Sequence, residues 1–122
     1  MALTSRQEVG QQAERQAAEY LGARGLELVL ANHRSRFGEL DLVMRDADTL
    51  VVVEVRRRNA KDFGGAAASI TRGKQRRIVL ATRHLLMVHP QLRRLPVRFD
   101  VVTLEPAAGA MRIEWLRAAF HA

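Results

Sequence analysis

Residues 38–58 hold two runs of strand-forming residues at spacing two, separated by a short polar break, with acids set among them. Leu40, Leu42, Val51, Val53 and Val55 carry the alternation, and Asp46-Ala47-Asp48 supplies the turn of a β-hairpin. If Asp46 pairs with Thr49, the antiparallel register carries Asp41 opposite Glu54. The β-carbons of directly opposed residues lie ~5 Å apart, so two carboxylates there repel one another. Something positive has to stand between or beside them: a divalent cation with oxygen ligands, or a neighbouring arginine. Arg56, two residues after Glu54, projects on the same face of its strand. The hairpin is therefore expected to present Asp41, Glu54 and Arg56 together, with Leu40, Leu42, Val53 and Val55 on the reverse face.

A chain of 122 residues, 48% of them hydrophobic, is long enough for one domain over 1–122 with a sizeable core. Twenty Lys and Arg against thirteen Asp and Glu leave a net charge of +7, which points to a polyanion, nucleic acid first. No apolar run is long enough to span a bilayer, so no membrane partner is expected. The first residues lack the apolar core of a secretion signal. With no cysteine, disulfides, a thiol nucleophile and thiolate-bound zinc are excluded, in keeping with a cytoplasmic chain.

Around the hairpin the pattern reads as follows. Thr4 or Ser5 caps a first helix ending near Leu21, stopped by Gly22 or Gly25, with Val9, Ala13, Ala17 and Tyr20 as its apolar face. Glu14 borders that face; on the helix alone it reads as an ordinary exposed glutamate. Residues 26–30 read as a strand and the basic stretch 32–36 as a loop carrying His33. Residues 66–70 form a short helical turn. Thr71 then caps a longer helix ending before Pro90, with Ile78, Ala81, Leu85 and Val88 as its buried stripe. Lys74 falls within that stripe and is expected to point toward the buried acids rather than to snorkel outward. Arg72, Arg76 and Arg83 lie off the stripe, on the solvated face. Residues 96–104 make a further strand, 112–116 a last short one, and 117–122 a helical turn packing Phe120. The order α-β-β-β-α-β, with a small C-terminal addition, implies an α/β fold with a mixed central sheet and a helix on each side.

These pieces, in this order, resemble a known group. They are Gly10-x-x-x-Glu14-x-x-Ala17-x-x-Tyr20-Leu21, Asn32-x-Arg34, Gly38-Glu39-Leu40-Asp41 and Val52-Val53-Glu54-Val55, then Phe63-Gly64, Lys74, Arg98-Phe99-Asp100 and Ala119-Phe120. Together they resemble the YraN family of small bacterial proteins, itself similar to the restriction-endonuclease-like superfamily and to archaeal Holliday-junction resolvases. The resemblance implies a metal-dependent endonuclease with Mg²⁺ or Mn²⁺ held by Asp41, Glu54 and the helix-borne Glu14, and the Val55 carbonyl as a further ligand. It also implies a homodimer. The superfamily lysine two residues after the glutamate is Arg56 here. Arginine keeps the charge and can clamp a phosphate, but it cannot act as a general base. Impaired, altered or absent cleavage with retained nucleic-acid binding is therefore expected, and Lys74 is the candidate for the missing ammonium. Arg57, Arg58, Lys61, Arg72 and Arg76 are the expected nucleic-acid contacts, made to phosphates rather than by base stacking, because aromatics are only 5% of the chain. The competing reading is a non-catalytic DNA- or RNA-binding or protein-interaction module.

Overall fold

A computed structural model describes residues 5–59, 65 and 70–122. Helix α1 (Ser5–Gly22) leads into strands β1 (Glu27–Ser35), β2 (Gly38–Asp46) and β3 (Thr49–Arg57). Helix α2 (Arg72–Val88) and a 3-10 turn (Pro90–Leu92) precede β4 (Val97–Ala107) and β5 (Ala110–Phe120). The five strands form one sheet in the order β1-β2-β3-β4-β5. All neighbours are antiparallel except β3 and β4, whose parallel pairing needs the crossover that α2 provides. The structure is thus α/β, with a mixed sheet packed by helices on both faces.

Strand alternation divides the core. Val43, Leu50, Val52, Phe99 and Val101 meet Ile78, Ala81 and Leu85 of α2 on one face. Leu42, Met44, Val51, Val53, Val102 and Leu104 meet Ala13, Ala17 and Leu21 of α1 on the other. Leu21 N-terminal to the turn accepts from the amides of Arg24 and Leu26, and Gly25 takes a φ of 97° that lets the chain reverse. Thr71 caps α2 by accepting from the Lys74 amide at 3.2 Å. Among the described residues no helix is long and apolar enough to cross a membrane.

Four expectations are corrected. The basic stretch after residue 30 is not a loop: β1 runs to Ser35, because β2 extends far enough to pair His33 with Leu40 and Arg34 with Glu39. The C-terminal strand is eleven residues long, and residues 117–120 of the segment expected as a helical turn belong to it. Its end is held by the stacking of Phe120 on Phe99 at 5.0 Å and by the Ala118 amide donating to Asp100 at 2.9 Å. Leu40 joins the α2-side core, not the reverse face shared by Leu42 and Val53. Val9 and Val88, assigned to apolar stripes, are exposed near the helix ends, while Leu21 and Thr82 are buried in their helices. Lys61, Phe63-Gly64 and most of the helical turn expected at 66–70 lie outside the described residues.

Candidate metal centre

The β2–β3 pairing runs from Asp46↔Thr49 to Leu42↔Val53. One step further the register sets Asp41 against Glu54, and there a side chain takes over from the backbone ladder. The Val55 amide donates to Asp41 Oδ2 at 2.9 Å, which pins that carboxylate where the two strands part. Glu54 is only 2% exposed. Its Oε1 accepts from Lys74 Nζ at 3.0 Å. Its Oε2 is enclosed and receives no hydrogen bond. A neighbouring carboxylate can donate only if one of the two takes a proton, so this oxygen lacks a donor whenever both are ionised.

The electrostatics follow from that packing. Burial, and then the charge of Asp41, raise the Glu54 pKa to about 7. Burial raises Asp41 as well, against the opposing pull of the Val55 amide and Lys74. From the other face of the sheet α1 brings Glu14, whose pKa burial and then the Asp41 charge raise to about 7. Glu14 Oε2 also lacks a hydrogen-bond donor. Asp41, at the fork, is thus within reach of both helices.

Ligand oxygens of Glu14, Glu39 and Asp41 lie within 4.8 Å of one another. That is close to the ~4.2 Å between opposite oxygens of an Mg²⁺ shell with bonds of ~2.1 Å. The donors are all carboxylate oxygens, which suits a hard divalent cation. A cavity of about 260 Å³ opens over the acids, lined by Gly38, Glu39, Asp41, Glu54, Lys74, Arg77 and Ile78. At ~30 Å³ per water this is room for roughly nine waters, enough for a hydrated ion and a phosphate group.

The structure sets Asp41 between two groups: Glu54 with Lys74 on the α2 side, and Glu14, which with Glu39 and Asp41 forms a close trio that does not include Glu54. It does not pair Arg56 with them: Arg56 is half-buried opposite Thr103 of β4, and among the described residues it makes no ion pair with either acid. Lys74, from the facing helix, holds the position beside Glu54. Arg57 is exposed at the end of β3, and the Arg58 amide continues the pairing by donating to the Leu104 carbonyl at 2.9 Å. Arg72 and Arg76, with Arg83, line a separate cavity of about 790 Å³ between α2 and the C-terminal residues His121 and Ala122. Glu39 and Arg77 also line the cavity over the acids, though neither is among the site residues expected above. The signals were present: Glu39 alternates with Asp41 along β2, and Arg77 follows Lys74 by three residues, one helical turn.

Fold and site together define an α/β protein with an acid-lined cavity at the fork of its central strands. The chain belongs to the family described as uncharacterised protein family UPF0102, whose model matches residues 13–104. A UPF0102 protein of Cupriavidus taiwanensis is 57% identical over 119 residues, covering 97% of this chain and 86% of that one. One from Pseudomonas putida is 50% identical over 122 residues, covering 99% of each, and one from Alcanivorax borkumensis is 42% identical over 120, covering 98% and 96%.

Proposed function

We propose that this chain binds nucleic acid, DNA first, and that its acid cavity holds Mg²⁺ or Mn²⁺ for phosphodiester hydrolysis, as the resemblance to the YraN family and the restriction-endonuclease-like superfamily implies. The observation that carries this reading is the buried Glu54, whose Oε2 has no donor and which sits against a second carboxylate at the base of a polar cavity. Buried polar atoms are normally partnered, and an orphan of this kind calls for an ion or a proton. Asp41 and Glu54 would hold the cation, with Glu39 at the rim of the same cavity and Glu14 approaching Asp41 from α1. When bound there, a divalent ion would lower the pKa of a water toward neutrality and offset charge on the phosphate. The chain's own residues do the remaining work. Asp41 is oriented by the Val55 amide, Glu54 is steadied by Lys74, and the Lys74 ammonium places positive charge beside the reacting group. Arg57, Arg72, Arg76 and Arg83 contact phosphates away from the cut.

The test is cleavage of plasmid and branched DNA with Mg²⁺ or Mn²⁺. Wild type cleaves, whereas Asp41→Asn and Glu54→Gln do not; absence of cleavage across metals and substrates rejects hydrolysis. A second reading, a non-catalytic binding module, is favoured by the Lys74–Glu54 ion pair, which already neutralises one of the acids. It predicts salt-sensitive DNA binding that is indifferent to metal and unaffected by Asp41→Asn. Each phosphate contact removed, as in Arg72→Ala or Arg76→Ala, reduces the slope of log K against log salt by about 0.9. A slope unchanged in both variants removes the α2 flank from the interface.

A further inference from the structure

Resting on the metal-centred reading above, we propose that Arg77 binds the phosphate group undergoing cleavage, the contact that the sequence position of Arg56 led one to expect from β3. The cavity lining carries three acids, Glu39, Asp41 and Glu54, and two cations, Lys74 and Arg77. Lys74 is committed to Glu54 at 3.0 Å. Glu39 faces Arg34 of the neighbouring strand at 3.7 Å. Asp41 is held by the Val55 amide. Arg77 is exposed and, among the described residues, forms no ion pair, so its charge is the one available to an incoming anion.

Its position is set by the backbone. Arg77 sits one turn beyond Lys74 on α2, and α2 passes close over the start of β2. A side chain placed at Gly38 would meet the Arg77 Cβ at 3.9 Å and its carbonyl oxygen at 4.0 Å. Gly38 also has a φ of 142°, which favours glycine. The root of Arg77 is therefore fixed beside the residues that lead into Glu39 and Asp41. From there a guanidinium on the α2 wall faces the carboxylates on the strand wall across the cavity. Phosphate repels those acids, and it enters only when a cation offsets them on one side and a positive group receives it on the other. The planar fork of arginine meets two phosphate oxygens at once, which an ammonium cannot do.

The experiment uses the full chain with Mn²⁺ and branched DNA, comparing wild type, Arg77→Ala, Arg77→Lys and Asp41→Asn. Melting curves and Mn²⁺ titrations run alongside. Arg77→Ala is expected to lower the cleavage rate at saturating DNA by about 10- to 100-fold, the loss of one charged hydrogen-bonded contact. Its Mn²⁺ affinity stays within twofold of wild type, and Arg77→Lys is intermediate. Cleavage by Arg77→Ala within twofold of wild type overturns the assignment. So does loss of Mn²⁺ binding in that variant, since Arg77 would then be supporting the metal site. If Arg77→Ala does not fold, Arg77→Lys alone decides, with a drop in cleavage at unchanged Mn²⁺ affinity as the supporting result. A second readout separates this proposal from the hydrolytic reading. Dimethyl phosphate is titrated into wild type and Asp41→Asn, each with Mg²⁺, and the Arg77 side-chain NH resonance is followed by NMR. A saturable shift in Asp41→Asn, which does not cleave, supports Arg77 as the phosphate contact even where wild type shows no hydrolysis. No shift in either protein overturns it.

Discussion

Lys74 and Glu54 form the pair on which the chemistry of the cavity turns, and their coupling is measurable without any nuclease assay. Glu54 is buried, and Lys74 provides the ion pair that its Oε1 makes among the described residues. Replacing Lys74 by Met strands a buried carboxylate. The cost is about 1–3 kcal/mol at pH 8, the penalty for an unsatisfied buried polar group. It shrinks toward pH 5, where Glu54, with a pKa raised to about 7, already carries a proton. Adding Glu54→Gln to Lys74→Met removes the stranded charge and recovers most of the loss. Urea unfolding of the four proteins at pH 8 and pH 5 gives the coupling directly. A Lys74→Met penalty independent of pH and of Glu54 shows that the lysine acts only through packing of its stem.

At the scale of elements, the sheet is tied together by a second buried acid, Asp100, which pairs with Val53 on the strand that carries Glu54. Asp100 is fully buried in β4 and accepts from Arg98 Nε at 2.9 Å and Nη2 at 3.0 Å, from Trp115 Nε1 at 2.9 Å and from the Ala118 amide at 2.9 Å. Arg98 also reaches Asp46 at the β2–β3 turn, at 3.3 Å. One carboxylate therefore clamps β5 to β4 and ties both to the hairpin. Asp100→Ala leaves Arg98 and the indole NH short of a partner, and costs about 3–5 kcal/mol by the measure of broken buried pairs. The loss is read as a lower denaturation midpoint, with Trp115 fluorescence changing in the native baseline; a loss below 1 kcal/mol shows that water replaces the carboxylate. Local pattern reveals some of these elements and not others. The hairpin was legible because Asp46, Thr49 and the alternating valines specify a register by themselves. The full length of β5 was not, because the Ala118 φ of 50° and the irregular pairing between Phe99 and Val101 break the alternation. What carries the strand on to Phe120 is a contact across the sheet, visible only once β4 is in place. The same holds for Glu14: its helix marks it as an ordinary surface acid, and only tertiary packing sets it against Asp41.

For the molecule as a whole, acids gathered at one fork make stability and proton binding a single equilibrium, which the proposed cation would join. Glu14 and Glu54 have folded-state pKa values of about 7 against ordinary values of 4.5. Between those limits the folded chain holds protons that the unfolded chain has released. Stability contributed by these two groups is therefore full below about pH 4.5 and falls as pH rises through 7. Other carboxylates have their own pH dependence, so the relevant quantity is the difference between wild type and the Glu14→Gln/Glu54→Gln variant. That difference should shift against wild type from pH 5 to pH 8 in the absence of metal. A cation that replaces the protons reverses the trend. Its binding must displace whatever protons the acids hold, so Mn²⁺ affinity weakens on acidification below pH 7, by up to about tenfold per pH unit for each proton displaced. Thermal shifts with and without Mn²⁺, taken from pH 5.5 to 8, should show stabilisation that grows with pH in wild type and is absent from the double variant. A Mn²⁺ shift that is flat across this range, or equal in both proteins, would place the cation elsewhere on the chain and remove the acids at the strand fork from its coordination.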